Sequence, residues 1–274
     1  MPVMIRKASG ELEEFNPDKV RTAIIRSGAA PDIANKIVKR VSERIKDGMS
    51  TKEIYRITFG LLKKERHSLA SRYDLKRAIM RLGPAGFPFE TYLGEILREH
   101  GHSIQLRQII RGECTEHEID IVLDGNILVE CKYHNTGGIY TGLKSAMYTY
   151  ARFLDLQGGI CENKSKKFKG VWLATNTKFS SKAIEYAECR GITLVGWRYP
   201  TENSLEQMIE SKGLYPITIL QNIDAISKDR FSNAGIMLIK DLTELNPVEI
   251  KAKIGIPTSK LSGIIREARE IIKQ

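Results

Sequence analysis

The stretch EIDIVLDGNILVECKYH, residues 118–134, constrains the fold of this chain more than any other segment. Two apolar runs rich in β-branched residues flank a tight polar turn at 124–126, a pattern typical of antiparallel strands joined as a hairpin. Side chains alternate between the two faces of a strand, so Glu130 and Lys132 point to the same face. The hairpin then brings Asp120, on the first strand, close to Glu130 on the second.

This spacing of acids and lysine favours a metal site. Two neighbouring carboxylates repel each other unless a positive charge lies between them, and Mg²⁺ suits a site of two carboxylates and water. Lys132 adds a cation on the same surface, able to orient a water molecule or to contact a phosphate. An exposed Glu/Lys pair is usually a solvated strand face. Here the pair interrupts an apolar run in which unpaired charge is costly, and this favours the metal site.

Length and composition exclude several classes of protein. The 274 residues suffice for two or three domains, and 42% hydrophobic and 28% charged residues are typical of soluble globular chains. No run approaches 18 apolar residues and the N-terminus has no apolar signal region, so we expect a cytoplasmic protein without a membrane-spanning helix. The four cysteines form no CxxC pair, which favours reduced thiols over a zinc site or disulfides.

Positive charge is concentrated at the N-terminal end of the chain. The net charge is +10, and residues 1–84 hold 19 Lys and Arg against 10 Asp and Glu. Concentrated positive charge attracts phosphate, so a nucleotide or a nucleic acid is one expected partner. A well-solvated basic surface explains the same numbers equally well.

Residue patterning divides the chain into three segments. In residues 1–84 a short hairpin precedes four helices, the first capped by Asn16 and the last ending near residue 83. Residues 85–200 alternate between helical and strand-like runs in the order αβββαβαβ, which predicts a small sheet flanked by helices. Residues 201–274 are mainly helical. The expected fold class is therefore a multi-domain protein with α and α/β parts.

Asp120, followed after a β-turn by ECK at 130–132, resembles the PD-(D/E)xK signature of restriction-endonuclease-like nucleases. The preceding helix, FETYLGEILREHGH, resembles the corresponding helix of Mrr-type nucleases and supplies Glu90. The likeness covers residues 86–198, with Ile119 where the signature has proline. It implies a restriction-endonuclease-like αβββαβ core for the middle segment.

The same resemblance implies a DNA endonuclease that depends on Mg²⁺ or Mn²⁺. The metal ligands that it implies are Asp120, Glu130 and the carbonyl of Cys131. Glu90 aids a second metal ion or its water, and Lys132 positions the attacking nucleophile. Two alternatives stay open: a catalytically inactive, nucleotide-responsive DNA-binding regulator, and a subunit that serves only in assembly.

Residues 1–84 contain the stretches IRKASGELEEFNPDK, STKEI and LASRYDLKRAI. Together they resemble an ATP-cone, a nucleotide-binding regulatory domain. The contacts to ATP or dATP that this implies are Lys7, Glu13, Asn16, Lys19 and Thr51. Ala8 stands where the family has a second basic residue, and both Asn16 and Thr51 would also serve as plain helix caps. No Walker-type phosphate loop is present in the sequence, so we expect binding without hydrolysis.

The last segment contains GIPTSK, residues 255–260, between helical stretches. This pattern resembles a helix-hairpin-helix domain, in which a glycine turn exposes backbone N–H groups to a DNA phosphate. The resemblance implies DNA contacts at Gly255 and Lys260. A protein–protein docking role of this segment stays open because residues 213–274 carry a net charge of only +2. A homodimer of the whole chain stays open as well.

Overall fold

The structure is a computed structural model, and it describes residues 2–83, 86–158, 168–244 and 247–273. No helix within these ranges is long and apolar enough to cross a bilayer. The cysteines that it describes, at positions 114, 131 and 189, are free thiols. The fourth, Cys161, lies outside the described residues.

The chain divides into two compact units, each assembled from separate stretches of sequence. The first comprises Met1–Ala78, Thr218–Ser227 and Leu242–Gln274. The second comprises Ile79–Ile217 and Lys228–Asp241. The segment predicted at 201–274 thus contributes to both units, and the predicted boundary at residues 84 and 85 lies outside the described residues. The division into three sequence segments stays a prediction.

The first unit opens with the predicted hairpin and continues in helices. Strand β1 (Met4–Arg6) pairs antiparallel with β2 (Leu12–Glu14). The helices that follow are α1 (Pro17–Arg26), α2 (Pro31–Ser42), α3 (Thr51–Glu65), α4 (His67–Tyr73) and α5 (Leu75–Met80), whose last residues belong to the second unit. Their apolar faces enclose a core that includes Ile24, Ile37 and Leu62.

Hydrogen bonds confirm Asn16 as the cap of α1 and make Ser50, not Thr51, the cap of α3. Asn16 Oδ1 accepts the Asp18 N–H at 2.8 Å and caps α1. At the start of α3, Ser50 Oγ accepts the Glu53 N–H at 3.2 Å while Glu53 Oε2 accepts the Ser50 N–H at 2.8 Å, a reciprocal capping box. The prediction of a single fourth helix up to residue 83 is wrong. The helical conformation is interrupted at Asp74, whose φ of −84° and ψ of 0° end α4 before α5 begins, and α5 itself ends at Met80.

The second unit contains a five-stranded sheet and the helices around it. In chain order these elements are α6 (Phe87–Glu99), β3 (Ile104–Arg111), β4 (Glu116–Leu123), β5 (Ile127–Lys132), α7 (Leu143–Gly158), β7 (Gly170–Thr175), α8 (Ser181–Arg190), β9 (Thr193–Val195) and α9 (Leu205–Lys212). Two short strands, β6 (Tyr140–Thr141) and β8 (Lys178–Phe179), pair with each other. The predicted order of helices and strands is present, with these two short strands in addition.

The sheet has the order β3–β4–β5–β7–β9, antiparallel from β3 to β5 and parallel from β5 to β9. Glu130 of β5 lies beside Leu173 of β7. Helices α7 and α8 contribute Phe153 and Ala183 to an apolar cluster that includes Leu173. Helix α6 packs against β3 and β4. The chain is therefore a mixed α/β protein, as expected.

The rest of the chain is helical. Its elements are a short 3₁₀ helix (Ile217–Ile219), α10 (Ala225–Asn233), α11 (Ile239–Glu244), α12 (Pro247–Ile254) and α13 (Thr258–Ile272). Within the first unit α13 packs against α4. Arg72 of α4 donates from Nε to the Ile271 carbonyl and from Nη2 to the Lys273 carbonyl, both at 2.9 Å. The C-terminal helix is thus anchored on the N-terminal helices.

Candidate active site

Asp120 marks the point at which β4 and β5 separate. Backbone pairing between these strands ends at Ile121 and Val129. One step further the Asp120 side chain takes over, because its Oδ2 accepts the Cys131 N–H at 2.6 Å. The predicted hairpin is confirmed, and it places Asp120 beside the triplet ECK at 130–132.

Glu130 is almost fully buried, with 3% of its surface exposed, and both of its carboxylate oxygens meet cations. Oε1 accepts from Lys132 Nζ at 2.6 Å, and Oε2 contacts Arg152 Nη1. The other terminal nitrogen of Arg152 reaches the Glu118 carbonyl in β4. A buried carboxylate needs such partners, because removing one partner of a buried ion pair destabilises a protein by about 3–5 kcal/mol.

Glu90 reaches the same place from the first turn of α6 and is 8% exposed. Its Oε2 has no hydrogen-bond partner and lies 3.8 Å from Arg107 Nη1. Burial, followed in importance by the charge of Asp120, raises the pKa of Glu90 to about 7. Burial and the charge of Glu130 raise the pKa of Asp120 to about 6. The charge of Asp120 therefore adds to burial at Glu90, and the charge of Glu130 adds to burial at Asp120.

The chemistry of this carboxylate cluster, Glu90, Asp120 and Glu130, fits a divalent cation. Oxygen donors suit Mg²⁺ and Mn²⁺, and a cation would favour the ionised forms of Glu90 and Asp120, whose pKa is raised first by burial and then by a neighbouring carboxylate. Within the described residues, no three His, Cys, Asp or Glu side chains form a ready group that could hold an ion. The predicted ligand set, two carboxylates and the Cys131 carbonyl, stays a prediction.

Sequence reasoning missed two arginines of this site. Arg152 lies on the buried face of α7 with Thr149 and Leu156, and a charged residue at that helical spacing indicates a buried partner. Arg107 lies on β3 at the register position of Asp120 and has a φ of 49°, a left-handed conformation uncommon outside glycine. The helical spacing of Arg152 could have indicated its role from the sequence, whereas no sequence pattern indicates the backbone conformation of Arg107.

Two tyrosines of α7 differ in their surroundings. Tyr148 is 55% exposed, and its ring centroid lies 5.9 Å from Lys132 Nζ. Tyr150 packs at the edge of the apolar cluster, with its ring centroid 6.3 Å from that of Phe153. Tyr148 therefore belongs to the surface beside the carboxylate cluster, and Tyr150 belongs to the core.

A second candidate site, a cavity of about 170 Å³, lies in the first unit. It is lined by four of the predicted nucleotide contacts and by three aromatic rings: Glu13, Asn16, Lys19, Thr51, Phe15, Tyr55 and Tyr73. Lys7, the fifth predicted contact, is not in the lining but lies 3.3 Å from Glu13 Oε2, and Lys19 Nζ lies 3.0 Å from the same oxygen. The hydrogen bond from Lys19, with a further one from Lys7, lowers the pKa of Glu13.

The predicted DNA contacts of the tail lie at the turn before α13. Gly255 follows α12 with a φ of 61°, the left-handed conformation that glycine often adopts at a helix end. Lys260, in the first turn of α13, contacts the Asp224 carboxylate, and this pairing lowers the pKa of Asp224. A phosphate contact by Lys260 would share its ammonium, which has three N–H donors, with the Asp224 carboxylate.

Comparison with known proteins identifies both ends of the chain. Residues 3–80 match the ATP cone domain, and residues 215–272 match the domain described as AF1548-like, C-terminal. An uncharacterized protein of Archaeoglobus fulgidus is 43% identical over 183 residues, which make up 66% of this chain and 99% of that protein. The chain belongs to the AF1548-like family. The crystal structure of AF1548, a protein of unknown function, matches with a TM-score of 0.59 and 41% identity over 69% of this chain and 98% of that one.

The comparisons test the predicted ATP cone but not the other predicted domains. The ATP cone match confirms the resemblance predicted for the first segment and supports nucleotide binding there. Both AF1548-like relatives are of unknown function, so they leave the nuclease and the helix-hairpin-helix predictions untested.

Proposed function

We propose that this AF1548-like protein is a DNA endonuclease that depends on Mg²⁺ or Mn²⁺ and is regulated by ATP or dATP. One observation supports the nuclease activity above all. Glu90, Asp120, Glu130 and Lys132 come from α6, β4 and β5, far apart in sequence, and they converge on one place in the second unit. Their residue types match the PD-(D/E)xK resemblance of the sequence.

Each residue of the site has a definite role in this proposal. Asp120, Glu130 and the Cys131 carbonyl hold the cation, and Glu90 binds its water or a second ion. A bound cation supplies Lewis-acid stabilisation for the charge that develops on a phosphate. The Lys132 side chain is 34% exposed, so its ammonium can donate a hydrogen bond to a phosphate oxygen or to an attacking water. The exposed ring of Tyr148 offers a stacking surface to a nucleobase.

Cleavage of a panel of DNA structures tests the proposal. Plasmid, branched and single-stranded substrates are incubated with Mg²⁺ or Mn²⁺, each with and without ATP. We expect cleavage by the unmodified chain and a loss of about 10²- to 10⁴-fold in Asp120→Asn and Lys132→Met, because the first removes a cation ligand and the second removes the donor to the phosphate or the attacking water. Lys182→Ala, an exposed lysine of α8, is the matched control and should cleave normally. No cleavage of any substrate with either cation would overturn the proposal.

A second candidate function, a nucleotide-responsive DNA-binding regulator without catalysis, is favoured by the ion pairs of Glu130. Lys132 and Arg152 already neutralise this carboxylate without a metal. The two functions are separated by Mn²⁺ binding. A regulator would bind DNA in an ATP-dependent way without binding Mn²⁺ at the carboxylate cluster. A nuclease would bind Mn²⁺ there, and Asp120→Asn would abolish this binding.

Nucleotide regulation rests on the ATP cone match and on the charged and aromatic lining of the cavity in the first unit. Calorimetry with ATP and dATP tests it. We expect binding that weakens in Lys19→Met, because an ammonium beside a triphosphate is lost. Lys36→Met, which removes a surface pair with Glu65, serves as the control and should bind normally. Absence of heat with either nucleotide would contradict the regulatory role.

A further inference from the structure

We infer that Arg152 is a positioning residue, which holds the Glu130 carboxylate in the orientation needed to bind a divalent cation. This inference rests on the proposed function, because it concerns the same site. It adds a residue that neither the sequence signature nor the family comparison assigns to that site.

The first step concerns the two strands, β4 and β5, that Arg152 links. Its guanidinium contacts the Glu130 side chain of β5 with one nitrogen and the Glu118 carbonyl of β4 with another. Backbone pairing between these two strands has already ended at Ile121 and Val129. Arg152 therefore connects the strands where their own hydrogen bonds are missing, and it fixes the distance between the two sides of the carboxylate cluster.

The second step is that charge balance alone does not distinguish an arginine from a lysine at position 152. Lys132 already lies 2.6 Å from Glu130 Oε1 and supplies one positive charge. Arg152 is itself buried, with 8% of its surface exposed, and its Nε has no hydrogen-bond partner. Burying a second, incompletely bonded cation is unfavourable. What arginine adds over a second lysine is a rigid planar fork that bonds two oxygens at fixed angles.

The third step is that Glu130 can bind Arg152 and a cation together. A carboxylate has about four lone-pair sites on its two oxygens, and Lys132 and Arg152 each use one. Orientation by a hydrogen-bonding neighbour is the usual way in which proteins hold a metal-binding carboxylate ready. Arg152 then acts through Glu130 and does not touch the substrate.

Charge and orientation predict opposite results when Arg152 is removed. If Arg152 were only a counter-ion, its loss would leave Glu130 more negative and cation binding would tighten. If Arg152 orients Glu130, its loss frees the carboxylate and cation binding weakens. Mn²⁺ affinity therefore separates the two roles by the sign of the change.

The test measures Mn²⁺ affinity of the full chain by calorimetry or electron paramagnetic resonance. We expect Arg152→Met to weaken Mn²⁺ binding by about 10- to 100-fold and Arg152→Lys, with unchanged charge, by about 3- to 10-fold. Circular dichroism establishes that each variant is folded, and the lysine variant keeps the test usable if the methionine variant is not. The matched control is Arg190→Met, an exposed arginine of α8, which should leave Mn²⁺ affinity unchanged.

The outcomes distinguish this inference from the function on which it rests. Equal or tighter Mn²⁺ binding in Arg152→Met, or unchanged binding in Arg152→Lys, overturns the positioning role and leaves the nuclease proposal standing. An unmodified chain that binds no Mn²⁺ overturns both. DNA cleavage at saturating Mn²⁺ adds a second readout, in which the lysine variant should lose kcat with little change in KM.

Discussion

At the residue scale, the carboxylates of the cluster differ in whether a neighbouring cation or hydrogen-bond donor contacts them. Glu130 has a cation at each oxygen, whereas Glu90 has a buried oxygen without a hydrogen bond. Burial and then the charge of Asp120 disfavour the ionised form of Glu90 and raise its pKa to about 7. In the folded protein Glu90 therefore carries a proton increasingly as the pH falls below about 7.

This proton makes stability depend on pH in a definite direction. The pKa of Glu90 is about 7 in the folded chain, against about 4.3 for an unfolded glutamate, so the folded state binds more protons between these values. The free energy of unfolding should therefore rise as pH falls through about 7, and the gain should be complete near about pH 4.3. Glu90→Gln should remove this part of the dependence, worth about 1–3 kcal/mol.

Urea unfolding in the presence of a chelator, at a series of pH values, measures this effect. Glu95→Gln, on the same helix and paired with Arg98 at the surface, is the control and should keep the slope of the unmodified chain. A Glu90→Gln variant with an unchanged slope would show that the raised pKa of Glu90 is not what sets the pH dependence.

At the scale of elements, short-range hydrogen bonds set the helix starts, and one of the capping residues also lines the cavity of the first unit. Asn16 caps α1 through its side-chain oxygen and also lines the cavity of the first unit. A cap requires only a short acceptor such as Asn or Ser, whereas a nucleotide contact requires the amide group itself. The two roles of Asn16 are therefore separable by substitution.

Asn16→Ala should lose about 1 kcal/mol of stability, because the α1 cap is removed, and should bind ATP more weakly. Asn16→Ser should keep the stability, because serine is an equally good cap, and still bind ATP about 5- to 10-fold more weakly through the loss of the amide hydrogen bonds. Thermal unfolding and ATP calorimetry on both variants measure the two effects. Normal ATP affinity in Asn16→Ser would show that Asn16 is only a cap.

The elements that could be predicted from sequence are those set by neighbours a few residues apart. The β4–β5 hairpin follows from its turn and its alternation, and this suffices to bring Asp120 to the triplet at 130–132. Contacts that depend on how distant elements pack have no local pattern. The bond of Arg152 to Glu130 and the left-handed backbone of Arg107 are of this kind. Glu90 was found by family resemblance and not by spacing.

At the scale of the whole molecule, sequence segments and compact units do not coincide. The last helix, α13, belongs to the same unit as the ATP cone helices, and Arg72 of α4 bonds the carbonyls of Ile271 and Lys273. Composition alone could not show this, because the bonds join residues at opposite ends of the chain. The consequence is that a ligand of the N-terminal helices also bears on the stability of the C-terminal helix.

Hydrogen exchange with and without ATP tests that consequence. A ligand that binds only the folded unit raises the free energy of opening by about 2.7 kcal/mol when its free concentration is a hundred times its Kd. Helices that open together show the same increase. Amides of α13 should therefore exchange more slowly with ATP, as those of α1 do. Arg72→Met, which removes the bonds to the end of α13, should keep the slowing in α1 and lose most of it in α13. The control is Arg98→Met, which removes a surface arginine of α6 and should leave the slowing unchanged in both α1 and α13. If ATP slowed exchange only in α1 of the unmodified chain, the two helices would open independently.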